Sequence, residues 1–535
     1  IGETMALRRD SVNLTASDKN LIKVPQKTEY WGLDLVEKVI AGFSKKKPVL
    51  VYFDPDVDGL IAGYLAVRFF KEMGFPIKTH INSNREHGFK LPAKAVKGYD
   101  IVAVDFDMSK EQIVELVNEG CNVLLMDHHD NDDEQIYYKG ENDCMGLCIN
   151  NQDLVNPEEG RYQSGAGVTY ETLCQVGEKF FDSMEDWFDC DENRALVGIT
   201  LLSDSRDISS ERARDYLRIL YNYEVEPFNA KSRKLGKTND KVRQLLYSAL
   251  PERDFNFGMP NMCREFIDFN LSPALNSCFR FGKEREMVKM ILSNQLIKVN
   301  QFHPKQREFV NRLVEWRNII EKDNVRFVWL DEDSLVGGKS GDPVIMTNFI
   351  GLLANKSLVV DGVRKSVICY VRKRNEDGSI EITRGSFRGR YDGVRYKEFL
   401  DPFMVGEGHQ GAFGIKKLEF SKMDEICKAC AEAEKGFKNK VKVVKVENLK
   451  KFLSSDKGKN LALANDYSKN REQIGILYTG RNAVVIKRTE KFLLLEIDGV
   501  HVRCFMPDLT VDKGVIKTTV SRGVIECTME PLQGY

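Results

Sequence analysis

Several classes are closed off by what the sequence does not contain. No run of about 18 apolar residues occurs, so no membrane-spanning helix is expected. No secretory signal pattern precedes the folded part, and the four residues ahead of Met5 (IGET) read as a cloning remnant to be set aside. An excess of one charge is missing: 79 Lys and Arg face 80 Asp and Glu. That near balance excludes a bulk polycation and confines polyanion binding to local basic patches. There is no internal repeat and no low-complexity tract. The 12 Cys are scattered. CKAC (427–430) sits in a helical pattern, and no second CxxC follows at zinc-finger spacing. The thiols read as buried or half-buried side chains of a reducing cytoplasm.

What is present suffices for more than one core. The chain has 535 residues, 42% of them apolar, and two or three domains are expected. Three early segments share a form: KPVLVYFD ends at Asp54, YDIVAVD at Asp105 and CNVLLMD at Asp127. Helical patterns lie between them, LIAGYLAVRFFKEMG with Gly74 at its end, and SKEQIVELVNEG with Ser109 as N-cap and Gly120 as its stop. Strands alternating with helices predict a parallel sheet, whose sites form at the strands' carboxyl ends, where all three acids fall. RALVGITLLSDSRD delivers a fourth acid, Asp204, from a buried run that reads equally as helix or strand.

The remainder divides by pattern. Residues 1–46 read as an N-terminal extension and 47–283 as the first α/β domain. Residues 284–324 read as connecting helices broken at Pro304, and 325–436 as a second α/β domain. Residues 437–535 read as a β-rich module, with an OB-like barrel as one option. In that module Tyr478, Phe492 and Phe505 are equally suited to stacking bases and to filling a core. The lysines of 438–451 are a solvated face or a phosphate contact. SGAGVTY (164–170) lacks the Lys-Ser/Thr of a P-loop and reads as a close-packed helix start. His303 and His501 read as structural, whereas His87, in NREHGF, is a candidate substrate contact.

FDPDVDG places Asp54, Asp56 and Asp58 at alternate positions in a turn that Pro55 stiffens and Gly59 releases into a helix. Alone, D-x-D-x-D also fits a calcium loop or a polar turn. Joined to Asp105, His128 and Asp204, the acids form an oxygen-rich set with one imidazole. Such a set suits Mn²⁺ or Mg²⁺ better than a structural zinc. Two ions roughly 3.5–4 Å apart, bridged by one carboxylate, would clamp a phosphoryl group.

These motifs, DPDVDG, VDFDMS, MDHHD and LLSDSRD, resemble in their order the DHH phosphoesterase superfamily, and within it the RecJ-like single-strand exonucleases. Further segments extend the resemblance across residues 45–420. NREHGFKLP and ALNSCFR resemble two segments of that family. IGLLANKSL, GSFRG and GEGHQGAFG resemble its accessory DHHA1 domain, which falls on 325–436. The resemblance implies that Asp56, Asp58, Asp105, His128 and Asp204 hold two ions with Asp105 bridging, and that Asp54 stands with them as a ligand or a support. It implies that His129 meets the scissile phosphate or the leaving group, and that Asp127 orients the imidazoles. Arg85, Ser386 and Arg388 would hold a 5′-phosphate. Gly408, His409 and Gly411 would approach the substrate backbone, and Asn276 and Arg280 would line the strand path.

The expected activity is metal-dependent hydrolysis of single-stranded DNA from the 5′ end to mononucleotides, in DNA repair or recombination, with RNA as a further substrate. A single-strand-binding protein or a helicase would be a natural partner. Glu407 stands where the family has glycine, and Ala274 where it has arginine. Pro55 is similar to the smaller DHH phosphatases. The alternatives are a phosphodiesterase of short oligonucleotides, 3′-phosphoadenosine 5′-phosphate or cyclic dinucleotides, and a non-catalytic replication scaffold.

Overall fold

The three apolar runs that end on acids become the centre of a parallel sheet. In the computed structural model, β1 (Val49–Phe53), β3 (Asp100–Val104) and β4 (Val123–Asp127) are buried at every position. A sheet covered on both faces requires this. The structure describes residues 29–531 except 107, 130–134, 152–162, 205, 207, 209, 224–237, 250–263, 333–346, 362, 392–393, 436–442, 467–473, 491, 507–508 and 522–523. The presumed remnant 1–4 and most of the extension lie outside them.

β2 (Ile77–Ile81) and β6 (Met145–Asn150) extend the sheet in parallel, and β5 (Tyr137–Lys139) closes one edge antiparallel, in the order β2-β1-β3-β4-β6-β5. Alternation within each strand splits the core. Val49, Val51 and Phe53 pack with α1 (Leu33–Ala41), α2 (Val57–Glu72) and α4 (Gly165–Gly177). Leu50 and Tyr52 pack on the other face, where α3 (Lys110–Asn118) lies. Ser109 caps α3 in a capping box with Gln112, and Gly74 and Gly120 follow their helices with φ of 83° and 94°. The chain leaves β1 for neighbours on both sides, so the crevice between the carboxyl ends of β1 and β3 is the topological switch point.

The ambiguous run before Asp204 is a helix, α5 (Asp191–Ser203), and Asp204 caps its end. Helices α6 (Glu211–Asn222), α7 (Lys241–Ala249), α8 (Ser272–Arg280) and α9 (Glu284–Leu292) follow. The expected break at Pro304 falls earlier, over residues 293–301. Pro304 occupies the first turn of α10 (Phe302–Trp316), where its missing N–H costs no helical hydrogen bond.

A second sheet, β13-β14-β12-β11-β8-β7, combines a parallel β8–β11 pair with antiparallel neighbours. Its strands are β7 (Asn318–Lys322), β8 (Val325–Asp331), β11 (Ser366–Arg374), β12 (Ile380–Arg388), β13 (Met404–His409) and β14 (Ala412–Leu418). The short β9 (Val359–Val360) and β10 (Val363–Arg364) pair separately. α11 (Ile350–Ser357) packs on one face of the second sheet and α13 (Met423–Ala433) on the other, with α12 (Tyr396–Leu400) between β12 and β13. Cys427 and Cys430 are buried on α13.

A third sheet has seven strands, from β15 (Val443–Val446) at one edge to β17 (Ala483–Arg488) at the other. Residues 438–442 of the lysine run lie outside the described residues. Tyr478 is buried against Asp498, whereas Phe505 is 68% exposed. The fold is mixed α/β, with a parallel N-terminal sheet and further sheets behind it. Among the described residues, no helix is long and apolar enough to cross a membrane.

Candidate metal and phosphate sites

The acids at the strand ends converge. Asp54 follows β1, Asp105 follows β3 with a left-handed φ of 64°, and Asp127 ends β4. Asp56 caps α2 by accepting the Gly59 N–H at 3.0 Å. Asp58, in the first turn of α2, accepts the Gly165 and Ala166 N–H groups at 2.7 and 2.8 Å, so the amino end of α4 grips its carboxylate. That grip explains SGAGVTY. A methyl group at Gly165 would lie 2.3 Å from Asp105 Oδ1, so only glycine lets this helix start approach both carboxylates.

His128 is buried among three of these acids. Its Nε2 lies 3.0 Å from Asp105 Oδ1, 3.7 Å from Asp204 Oδ2 and 3.8 Å from Asp58 Oδ2. Ligand atoms within 4.8 Å of one another form three overlapping groups: Asp54, Asp56 and Asp105; Asp58, His128 and Asp204; and Asp105, Asp127, His128 and His129. The structure thus brings together every residue named from the sequence for the metal group. Asp127 accepts from His129 Nδ1 at 2.7 Å.

Electrostatics mark the cluster as built for cations. Burial, with Asp204 and Asp56 adding repulsion, pushes the Asp58 carboxyl up to about 8, against the pull of the α4 N–H groups. Burial and the neighbouring acids also raise Asp105 well above the usual carboxylate range. Asp54 is raised by burial and partly brought back by His87. For His129 burial works against the charge, but Asp127 outweighs it and lifts the imidazole to about 10. Among the described residues, Asp54 Oδ1 is buried without a hydrogen-bond partner, and Asp105 Oδ1 faces His128 Nε2 at 3.0 Å without an aligned hydrogen bond. Buried carboxyl oxygens left so are costly, and hard divalent cations would satisfy them as carboxylates. The donor set therefore fits such ions.

A second cluster has the opposite sign. Burial, with Arg85 adding repulsion, holds Arg388 at about 10, and burial with repulsion from Arg85 and Arg388 lowers Arg280 as well. Arg388 Nη1 donates to Ser386 Oγ at 2.7 Å, and Arg280 Nη1 to Gln306 Oε1 at 3.1 Å. Arg384, absent from the sequence-derived set, joins them. Its Nη1 donates to Asn348 Oδ1 at 3.0 Å and its Nη2 to the Arg85 carbonyl at 3.5 Å. Its period-two spacing with Ser386 and Arg388 on β12 was the available signal. Among the described residues, none of the four guanidinium groups forms an ion pair with a carboxylate.

The hairpin β13–β14 borders this cluster, because Arg388 pairs with Ala412 and Ser386 with Gly414. Gly408, with φ 129°, lies in β13 opposite Phe413, and Gly411 lies in the turn. The backbone of His409 pairs with Ala412, while its side chain and that of Glu407 lie outside the described set. Asn276 is half-buried on α8, one turn before Arg280, and is tied to neither cluster by a hydrogen bond. Ala274 is buried in the core.

Residues 48–191 match the family model described as the DHH family, N-terminal domain. No curated protein matches the sequence. The structure of RecJ from Thermus thermophilus in complex with Mn²⁺ is similar at a TM-score of 0.61 and 15% identity. That match covers 96% of this chain and 73% of that one. RecJ from the same organism in complex with Mg²⁺ gives 0.53 at 13% identity, covering 96% and 71%.

Proposed function

We propose that this chain, which carries a DHH-family domain in a RecJ-like fold, is a phosphodiester hydrolase. In this reading it depends on two divalent cations and removes mononucleotides from the 5′ end of single-stranded DNA. The observation that carries the reading is the pairing of two clusters. A cation-seeking group of acids and His128 lies at the switch point, and a group of four arginines without carboxylate partners lies beside the second sheet. A phosphate chain is the ligand that satisfies both. The likeness to RecJ in its Mn²⁺ and Mg²⁺ complexes supports the same reading.

Asp56, Asp58, Asp105, His128 and Asp204 would hold the ions, with Asp54 against them. Bound there, divalent cations supply Lewis-acid polarisation of phosphoryl oxygens and a nucleophile at neutral pH. The chain's own groups do the rest. Asp127 accepts from His129 Nδ1 and so turns Nε2 outward, where it can donate to a phosphoryl or leaving oxygen. Arg85, Arg384 and Arg388 hold the terminal phosphate by forked N–H donation, the Ser386 hydroxyl adds an O–H donor, and Arg280 steers the strand. An anchored end makes cleavage directional.

Digestion of a long single strand with Mn²⁺ tests this, using 5′- and 3′-labelled copies beside a dinucleotide and the Asp105→Ala variant as blank. Release of labelled mononucleotide at once from the 5′ label, with gradual shortening of the 3′ label, is expected. Cleavage of the dinucleotide alone would move the chain to the small-substrate phosphodiesterases.

A further inference from the structure

One imidazole reaches the acid cluster from outside the strand-end motifs. His87 lies in the loop after β2, and its Nδ1 stands 2.6 Å from Asp54 Oδ2. Asp54 is 2% exposed, while the His87 side chain is 42% exposed. The pair therefore has one end buried at the acids and one end open to solvent. The second Asp54 oxygen is the buried, unbonded Oδ1, and Asp54 shares a metal-capable group with Asp56 and Asp105.

The loop that delivers His87 is held from several sides. Asn82 Nδ2 donates to the carbonyls of Glu86 and Gly88 at 2.8 Å each, and its Oδ1 accepts from the Tyr52 hydroxyl. The Lys90 N–H donates to that same hydroxyl at 3.2 Å, and the Arg85 N–H to Glu284 Oε1 at 2.8 Å. Asn84 and Arg85 both adopt left-handed backbone, with φ of 58° and 54°. Two such non-glycine residues in succession persist only where their surroundings enforce them, and they mark functional sites. The enforced turn puts Arg85 with the other arginines and His87, two residues on, against Asp54.

We propose that His87 is a positioning residue for Asp54. A carboxylate only accepts, so Nδ1 donates to Oδ2. This fixes the carboxylate with Oδ1 turned into the cation group, as partners behind metal ligands do. The assignment rests on the cation-dependent reading above and adds a member that the strand-end motifs do not contain.

The test compares wild type, His87→Ala, His87→Asn and His87→Gln. Mn²⁺ affinity is measured by calorimetry and strand hydrolysis by kcat and KM. The amide nitrogen of Asn takes the place of Nδ1, and that of Gln the place of Nε2. His87→Ala is expected to weaken Mn²⁺ binding by about 10–100-fold and to lower kcat. His87→Asn is expected to restore affinity to within about threefold, and His87→Gln is not. Wild-type affinity in His87→Ala, or equal rescue by Asn and Gln, overturns the assignment. If wild type binds Mn²⁺ but cleaves no strand, the proposed function fails, and the affinity series still decides the role of His87.

Discussion

Replacing Gly165 with alanine separates the fold from the site. An alanine methyl carbon there would lie 2.3 Å from Asp105 Oδ1 and 2.5 Å from its Cβ and Cγ. Carbon and oxygen ordinarily approach to about 3.3 Å, so the Asp105 side chain or the helix must recede by about 1 Å. Overpacking of this kind costs about 1–3 kcal/mol. Alanine regains at most about 1 kcal/mol over glycine in a helix, and less at its first residue, so the net loss of stability is about 0–3 kcal/mol. The chemistry has less room, because metal–ligand distances tolerate only about 0.2 Å. Asp105 also touches His128 at 3.0 Å, and Gly165 itself holds Asp58, so two carboxylates are displaced together. Gly165→Ala is expected to keep a cooperative urea transition near that of wild type. It is expected to lose at least about 100-fold in kcat/KM, about 2.7 kcal/mol of transition-state stabilisation. The paired assays are denaturation with and without Mn²⁺ and single-strand hydrolysis. Turnover within twofold of wild type, with the Mn²⁺-induced stabilisation intact, would refute the placement of Asp105 against the start of α4.

The cation-free protein has a signed pH dependence. Asp58 is raised from 3.8 to about 8, so the folded chain keeps a proton that the unfolded chain has released. The stabilisation is complete below the unfolded value and disappears as pH rises through about 8. Urea midpoints in chelator should therefore fall between pH 5 and pH 8.5 (on the order of those values), and Asp58→Asn should flatten the slope. Saturating Mn²⁺ at about 100 times its dissociation constant should add about 2.7 kcal/mol of stability, and an unchanged midpoint would count against a metal site. Arg384→Met relieves a crowded half-buried cation but removes two hydrogen bonds, so the melting temperature should change by no more than a few degrees, while KM for a 5′-phosphorylated strand rises. A loss of stability with unchanged KM would reject the anion role. His129→Gln should lower kcat by about 10²–10⁴ with Mn²⁺ affinity within about threefold, and a parallel collapse of affinity would make His129 a ligand.

The parts legible in the sequence were those written in a local period. β1, β3 and β4 announce themselves because a doubly covered parallel strand must be apolar throughout, so each acid after such a run stands out. The capping box at Ser109 and the glycines after α2 and α3 follow from chemistry within four residues. The run before Asp204 stayed ambiguous, because a buried helix and a buried strand have the same composition. Pro304 misled for a related reason: the residue type marks either a break or a first turn, and only packing chooses. Arg384 and His87 needed distance information. Arg384 matters through Arg85, 299 residues away, and His87 through Asp54, 33 residues away. The role of SGAGVTY was hidden likewise, since nothing near Gly165 in sequence says that Asp58 and Asp105 will close on it.

The arginine cluster is divided between two sheets, and this sets how an end could be recognised. Arg85 belongs to the loop after β2 and Arg280 to α8, whereas Arg384, Ser386 and Arg388 lie on β12 of the second sheet. The halves meet through two hydrogen bonds, Arg384 Nη2 to the Arg85 carbonyl and Asn348 Nδ2 to the Arg280 carbonyl at 3.2 Å. Four mutually repelling guanidinium groups oppose that meeting, and a bound phosphate favours it. The acids belong to the first sheet's strand ends and to the helices packed on that sheet. In this arrangement a strand terminus does two things at once. It would neutralise the charge between the sheets, and through the loop that carries both Arg85 and His87 it would reach Asp54 in the acid cluster. Selectivity for an end and placement of the acids then share one strained stretch of backbone at Asn84 and Arg85. A change that relaxes that stretch should blur the choice of end and lower turnover together.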